Sequence, residues 1–283
     1  MSKLKALIFD VDGTLADTER DGHRIAFNRA FAEVGLDWQW SVERYGQLLE
    51  VAGGKERLRK YVQEDHPNFV PPTDIKTWSA GIHQLKNRHY KALVQEGLIP
   101  LRTGVKRLIQ EARKSGVRLA IATTSAPENV IALLETMLGS ESPAWFDVIA
   151  AGDVVPTKKP APDIYQYVLA QMNLKPEQCL VFEDSHQGLS ASLQAGLKTV
   201  VTRSSYTQAD NFTGSALILE HLGEPDRPFE VVGATFLNTT SHQIPYFDLA
   251  LARQVLDLAH QRSPLAPNQP TIGKRQPIAV ANA

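Results

Sequence analysis

The sequence predicts an α/β fold, a doubly wound parallel sheet broken once by an all-helical insert. Short apolar runs, each bounded by Gly or polar residues, alternate with patterns of helical period. Strands covered on both faces of a parallel sheet read this way. The alternation stops only from about Thr18 to Gly97, where the patterns are helical. Charged and hydroxyl residues gather just past the strand ends, where doubly wound sheets bind their ligands.

Taken in order, the first strand is Leu4–Phe9, running into Asp10-Val11-Asp12-Gly13-Thr14. The insert follows directly, with Ile25-Ala26-Arg29-Ala30-Phe31 and Leu85-His89-Leu93 at helical spacing. A helical segment placed at the carboxyl end of a strand is expected to cap the site. After Leu101 come the helix pattern Val105-Leu108-Ile109-Ala112 and strands at Val117–Thr123 and Asp147–Gly152. The helix pattern Ile164-Val168-Leu169 precedes strands at Cys179–Asp184 and Lys198–Thr202 and a weak one at Ala216–Leu219. The expected division is a core of residues 1–17 and 98–222, a cap of 18–97, and an extension of 223–262 with no evident role. Within the extension, Glu224–Pro228 reads as a turn, Val231-Val232-Gly233 as a strand and Leu249–His260 as a helix. Residues 263–283, with Pro264, Pro267, Pro270 and Pro277 among small and polar residues, are expected to be disordered.

The chain has 283 residues, 30 basic and 31 acidic, for a net charge of −1. That balance gives no general electrostatic reason to bind nucleic acid or anionic lipid. The lone cysteine, Cys179, makes no internal disulfide and starts a buried strand, and a reducing compartment suits it. No apolar run approaches the roughly 18 residues that span a bilayer. A cytoplasmic monomer is expected, with neither nucleic acid nor membrane as partner.

Four polar signals follow the strands: Asp10 and Asp12; Thr123-Thr124-Ser125; Lys158-Lys159-Pro160; and Glu183-Asp184-Ser185. Together they suit phosphoryl transfer, which needs an in-line nucleophile and cations to neutralise the transferring oxygens. Asp10 would attack phosphorus and form an aspartyl phosphate. Asp12, two residues on, would protonate the leaving oxygen and then deprotonate water. Paired carboxylates call for a hard cation, and Mg²⁺ held by Asp10, Asp12 (through its carbonyl) and Asp184 fits. Thr123 and the amides of its turn would bind phosphate oxygens, and Lys159, fixed by Pro160, would add positive charge.

Rival readings of these motifs fail. Leu15 and Asp17 do not complete a calcium-type loop. Gly53-Gly54-Lys55 is no P-loop, because position 49 is Leu and Glu56 stands where Ser or Thr is required. As a helix-opening loop it reads either as a Gly turn with solvated charges or, if the substrate has a second phosphate, as the source of its cations, Lys55 and Arg57. His23 and His83 are noted in the cap, where a lone His is usually structural; Trp38, Trp40 and Trp78 read as cap packing.

Asp10-Val11-Asp12-Gly13-Thr14-Leu15 with Asp17-Thr18-Glu19 resembles the first motif of the haloacid dehalogenase superfamily, and Thr123, Lys159 and Glu183-Asp184 match its other motifs in order. The helical insert resembles the type 1 cap of its phosphoglycolate phosphatase and β-phosphoglucomutase group. Gly53-Gly54-Lys55-Glu56-Arg57, Ala122–Val130, Asp147–Asp153 and Lys158–Tyr165 are similar to the CbbY-type xylulose-1,5-bisphosphate phosphatases. That resemblance implies a Mg²⁺-dependent phosphatase converting xylulose 1,5-bisphosphate, a misfire product of Rubisco, to xylulose 5-phosphate. It implies substrate contacts from Asp10, Glu19, Gly53, Gly54, Lys55, Glu56, Arg57, His83, Gln84, Leu85, Lys86, Thr123, Thr124, Ser125, Ala126, Pro127, Asn129 and Lys159. His23 lies one residue further from Asp12 than the resemblance implies. The rivals are a β-phosphoglucomutase-like mutase, a phosphoglycolate-type phosphatase, and a phosphosugar-binding regulator without turnover. The nucleophile–acid pair argues against the regulator.

Overall fold

The computed structural model describes residues 4–234 and 245–258, so the expectation of a disordered tail lies outside the described residues. Strands β1 (Ala6–Phe9), β2 (Arg118–Thr123), β3 (Val148–Ala151), β4 (Cys179–Glu183), β5 (Lys198–Thr202), β6 (Leu217–Leu219) and β7 (Val231–Ala234) form one sheet. Its order is β3-β2-β1-β4-β5-β6-β7, parallel except for β7, which pairs antiparallel with β6. Helices are α1 (Arg24–Glu33), α2 (Val42–Leu48), α3 (Gly54–Asp65), α4 (Ile75–Gln95), α5 (Val105–Lys114), α6 (Pro127–Leu138), α7 (Asp163–Met172), α8 (His186–Gln194) and α9 (Leu249–Leu258).

Alternate residues of β1 serve opposite faces, as the pleat requires. Leu7 and Phe9 pack with the apolar faces of α5, α6 and α9. Ala6 and Ile8 pack with those of α7 and α8. Phe9 is level with Ile121 of β2 and with Phe182 of β4, so Asp10 emerges beside Glu183. Cys179 lies wholly buried in the second layer, where burial pushes its thiol up to about 12.

The insert has its own apolar cluster, from Phe27 and Phe31 of α1 through Trp38, Trp40 and Tyr45 to Tyr61 of α3 and Ile82 of α4. Two linkers join it to the sheet. Ala16 bridges Leu101 antiparallel, and the Arg102 amide donates to the Leu15 carbonyl at 2.8 Å. The Arg102 guanidinium also donates to the carbonyls of Gly13, Thr202 and Glu220.

The segment after residue 222, to which the sequence assigns no role, adds to the sheet and its cover. β7 extends the edge, and Phe247, Leu249, Leu251, Ala252, Val255 and Leu256 bury in the same cluster as β1 and α5. Arg107 of α5 ties it down by donating to the carbonyls of Gly223 and Phe247, at 2.9 and 3.0 Å. No described helix is long and apolar enough to cross a membrane.

Candidate active site

The ends of β1, β2 and β4 bring Asp10, Thr123 and Glu183 to one level. Lys159, from the loop before α7, spends its ammonium on three acceptors. These are Asp10 Oδ1 at 2.7 Å, the Ala122 carbonyl at 2.9 Å and Glu183 Oε1 at 2.6 Å. Burial alone would lower the Lys159 pKa; Asp10 and Glu183 hold it above the lysine range instead. Tyr165 of α7 donates to the same Glu183 oxygen. The lysine is thus fixed as a cation against the candidate nucleophile.

Asp10, Glu183 and Asp184 can bring carboxylate oxygens within 4.8 Å of one another. Burial, above all, raises Asp10 and Asp184 well above the usual carboxylate range. The strain is electrostatic: buried carboxylates crowd around one ammonium, and a hard divalent cation with oxygen ligands relieves that. The residues present therefore fit Mg²⁺. Glu183 is already engaged by Lys159, Tyr165 and the Asp184 amide, which leaves Asp10 and Asp184 with the freer carboxylates. Gly13 lets Asp184 approach. Its φ is +86°, and a Cβ there would sit 2.1 Å from Asp184 Oδ2.

Asp12 turns its side chain the other way. Its Oδ1 accepts from the Thr18 hydroxyl and lies 2.9 Å from His23 Nε2, and Ser125 Oγ is 3.3 Å from the same nitrogen. Burial would raise Asp12, yet His23 and Thr18 overcome it and hold the carboxyl well below its usual range. The Asp12 side chain is thus engaged by Thr18 and His23, outside the cluster of Asp10, Glu183 and Asp184. The sequence drew attention to His23 but read it as a lone, structural histidine, one residue further from Asp12 than the resemblance implies. Residues Glu19–His23 form a π-helical turn running straight into α1. A π turn accommodates one extra residue in a helix, which is the offset the sequence shows.

Asp10, Asp12, Thr123, Lys159 and Asp184 line a cavity of about 310 Å³, which also has Glu19, Arg57, Thr124 and Tyr206 in its walls. A smaller recess beside it shares Asp12, Glu19, Arg57 and Thr124 and adds His83, Lys86, Ser125 and Ala126. Burial, then the charge of Lys86, pushes His83 down to about 3, so its imidazole is neutral. Burial lowers Lys86 to about 8. Arg57 Nη1 donates to the Tyr45 hydroxyl at 2.8 Å, and that hydroxyl donates to Glu19. Burial raises Tyr45 well above its ordinary value, so the phenol keeps its proton.

Of the other expected contacts, Lys55, Glu56, Gln84, Leu85, Pro127 and Asn129 line neither cavity. Lys55 reaches across to Asp153 at 2.6 Å, and Glu56 pairs with Lys158 at 3.3 Å, so both sit where cap meets core. Gly53 and Gly54 line the recess, Gly53 with a φ of +95° at the start of α3. Gln84 is exposed, Leu85 packs on the cap cluster, and Asn129 donates to Asn87 at 3.1 Å. Pro127 opens α6 beside Gly152. Thr123 accepts from the Ser125 amide at 3.1 Å, which shapes the turn below α6.

A buried carboxylate as candidate nucleophile, a second carboxylate two residues on, a fixed lysine and a further carboxylate pair near the ends of parallel strands are the parts that a phosphoryl-transfer enzyme needs. Residues 4–196 match the model for haloacid dehalogenase-like hydrolases, and the chain belongs to that family as a phosphatase. Among its relatives, the plasmid CbbY protein of Cupriavidus necator is 48% identical over 225 residues, covering 80% of this chain and 88% of that one. The CbbY protein of Rhodobacter capsulatus is 47% identical, covering 75% and 91%. Crystal structures of CbbY from Rhodobacter sphaeroides, one with phosphate and a mutant with xylulose-(1,5)bisphosphate, each superpose with a TM-score of 0.72. They are 44% and 43% identical, and both alignments cover 77% of this chain and 94% of that one.

Proposed function

We propose that the enzyme hydrolyses a sugar bisphosphate, xylulose 1,5-bisphosphate, to xylulose 5-phosphate through an aspartyl-phosphate intermediate. The observation that carries this reading is a cavity and an adjoining recess with shared walls and two sets of cationic groups, Lys159 lining the cavity, Lys86 the recess and Arg57 both. Two phosphates on one sugar need two such sets. The complex of the related CbbY mutant with xylulose-(1,5)bisphosphate supports the same reading.

In this mechanism an Asp10 oxygen bonds to phosphorus as the bond from phosphorus to the sugar oxygen breaks, and Asp12 gives that oxygen its proton. Water then attacks the acyl phosphate, its proton passing to Asp12, and Asp10 is restored. Asp12 is ionised beside His23; exchanging His23 for a phosphate dianion raises its pKa, so the carboxyl takes up from solvent the proton that it then gives to the leaving oxygen. Lys159 balances charge at the transferred group throughout, and the Thr123 turn binds its outer oxygens. Mg²⁺, held by Asp10, Asp184 and the Asp12 carbonyl, would neutralise phosphoryl charge.

The test is phosphate release across a panel of sugar bisphosphates and monophosphates, beside conversion of glucose 1-phosphate isomers, with and without chelator. The expected result is fastest release from xylulose 1,5-bisphosphate, abolished by chelation and restored by Mg²⁺. Isomer conversion outrunning phosphate release would make the enzyme a mutase and overturn the proposal.

A further inference from the structure

We propose that Tyr45 is a positioning residue for the cap end of the site: its hydroxyl holds Arg57 and Glu19 apart, leaving both free for the substrate. This rests on the reading of the cavity as a phosphosugar site. Tyr45 lies on α2, Glu19 on the π-helical turn and Arg57 on α3, so the phenol joins three segments of the cap. Tyr45 is itself wholly buried, and it is absent from the walls of both cavities that Arg57 and Glu19 line. Its ring also meets Tyr206 of the cavity wall, with centroids 6.0 Å apart, but its hydroxyl reaches the cavity only through Arg57 and Glu19.

The hydroxyl is the spacer. It accepts from Arg57 Nη1 at 2.8 Å and donates to Glu19 Oε2, while the direct Arg57–Glu19 separation is 3.6 Å. A direct charge-assisted pair would close to about 2.7–2.9 Å and often becomes bidentate. Each partner would then consume the charge that the other owes a ligand. Here the Arg57 Nε is buried and without a hydrogen-bond partner, a donor that no group of the cap has claimed. The ring that carries the spacer is packed against Trp40, with centroids 5.5 Å apart, and Arg57 lies over it at 5.1 Å. Its hydroxyl is therefore placed at little entropic cost, which suits a guanidinium meant for a phosphate fork.

Tyr45→Phe removes the hydroxyl and keeps the ring. It is to be measured alone and combined with Arg57→Ala, using the phosphosugar that the unmutated enzyme hydrolyses with the highest kcat/KM. Alone, Tyr45→Phe should raise KM about tenfold and change kcat less than about twofold, the scale of one charged hydrogen bond. Added to Arg57→Ala, the same change should move KM less than about twofold further, because without Arg57 there is no pair left to hold apart. An unchanged KM in the single variant would overturn the proposal. So would a tenfold loss that persists without Arg57, since that marks a packing role; melting temperatures of all the variants separate packing loss from lost positioning. Failure of the functional reading shows instead in the unmutated enzyme, as no turnover of any phosphosugar.

Discussion

The two ends of the cavity are built differently. At the core end, Asp10, Lys159 and Glu183 sit at or just beyond neighbouring strand ends, and every proton of the lysine is committed to an acceptor. At the cap end, Glu19, Arg57 and Lys86 come from separate helical segments, and Arg57 keeps an unpartnered donor. The seam between the ends is closed by Lys55–Asp153 and Glu56–Lys158, with Asp153 61% exposed. Pairs exposed to that degree contribute about 0–1 kcal/mol. The comparison teaches that the chemistry is preorganised by the sheet, whereas selection depends on how helices dock above it.

The largest effect should come from the core. Asp10→Asn keeps the size of the side chain but cannot form an acyl phosphate. Turnover should fall by on the order of 10⁴-fold or more, as for loss of other enzymic nucleophiles, with the melting temperature little changed. Phosphate release at the normal rate from a folded Asp10→Asn enzyme would break the covalent mechanism.

A smaller effect should mark the cap. Lys86, lowered by burial to about 8, is charged below that pH and neutral above it. A neutral amine attracts phosphate less, so kcat/KM for a bisphosphate should decline several-fold as pH rises through about 8. Lys86→Arg keeps its charge at all these pH values and should remove the decline. An unaltered alkaline limb in Lys86→Arg would assign it to another group.

The core end was legible in the sequence because buried parallel strands read as apolar runs and the chemistry follows their ends. Asp10, Thr123, Lys159 and Asp184 needed no knowledge of distant packing. The cap end was legible only in part. Asp12 and His23 meet through a π turn, which shifts the helical phase that periodicity assumes. Arg57 and Lys55 looked equivalent in the glycine loop, yet Arg57 shares its helical face with Leu58, Tyr61 and Val62, all buried. That spacing was the available signal. Tyr45 meets Glu19 across 26 residues of sequence, a contact that only the tertiary fold creates. The strand and helix after residue 222 were legible as elements but not in their role, because an antiparallel edge and its cover carry no motif.

The most direct test of divided labour is kcat/KM for xylulose 1,5-bisphosphate and for a small monophosphate ester, in Arg57→Ala beside Lys55→Ala. Losing the buried guanidinium should cost about 1.5–3 kcal/mol on the bisphosphate, roughly 10- to 150-fold. The small ester, which does not reach the cap end, should change less than about twofold, and Lys55→Ala should cost far less because its partner is exposed Asp153. An equal loss on both substrates in Arg57→Ala would contradict the account, placing Arg57 in support of the core site or the fold.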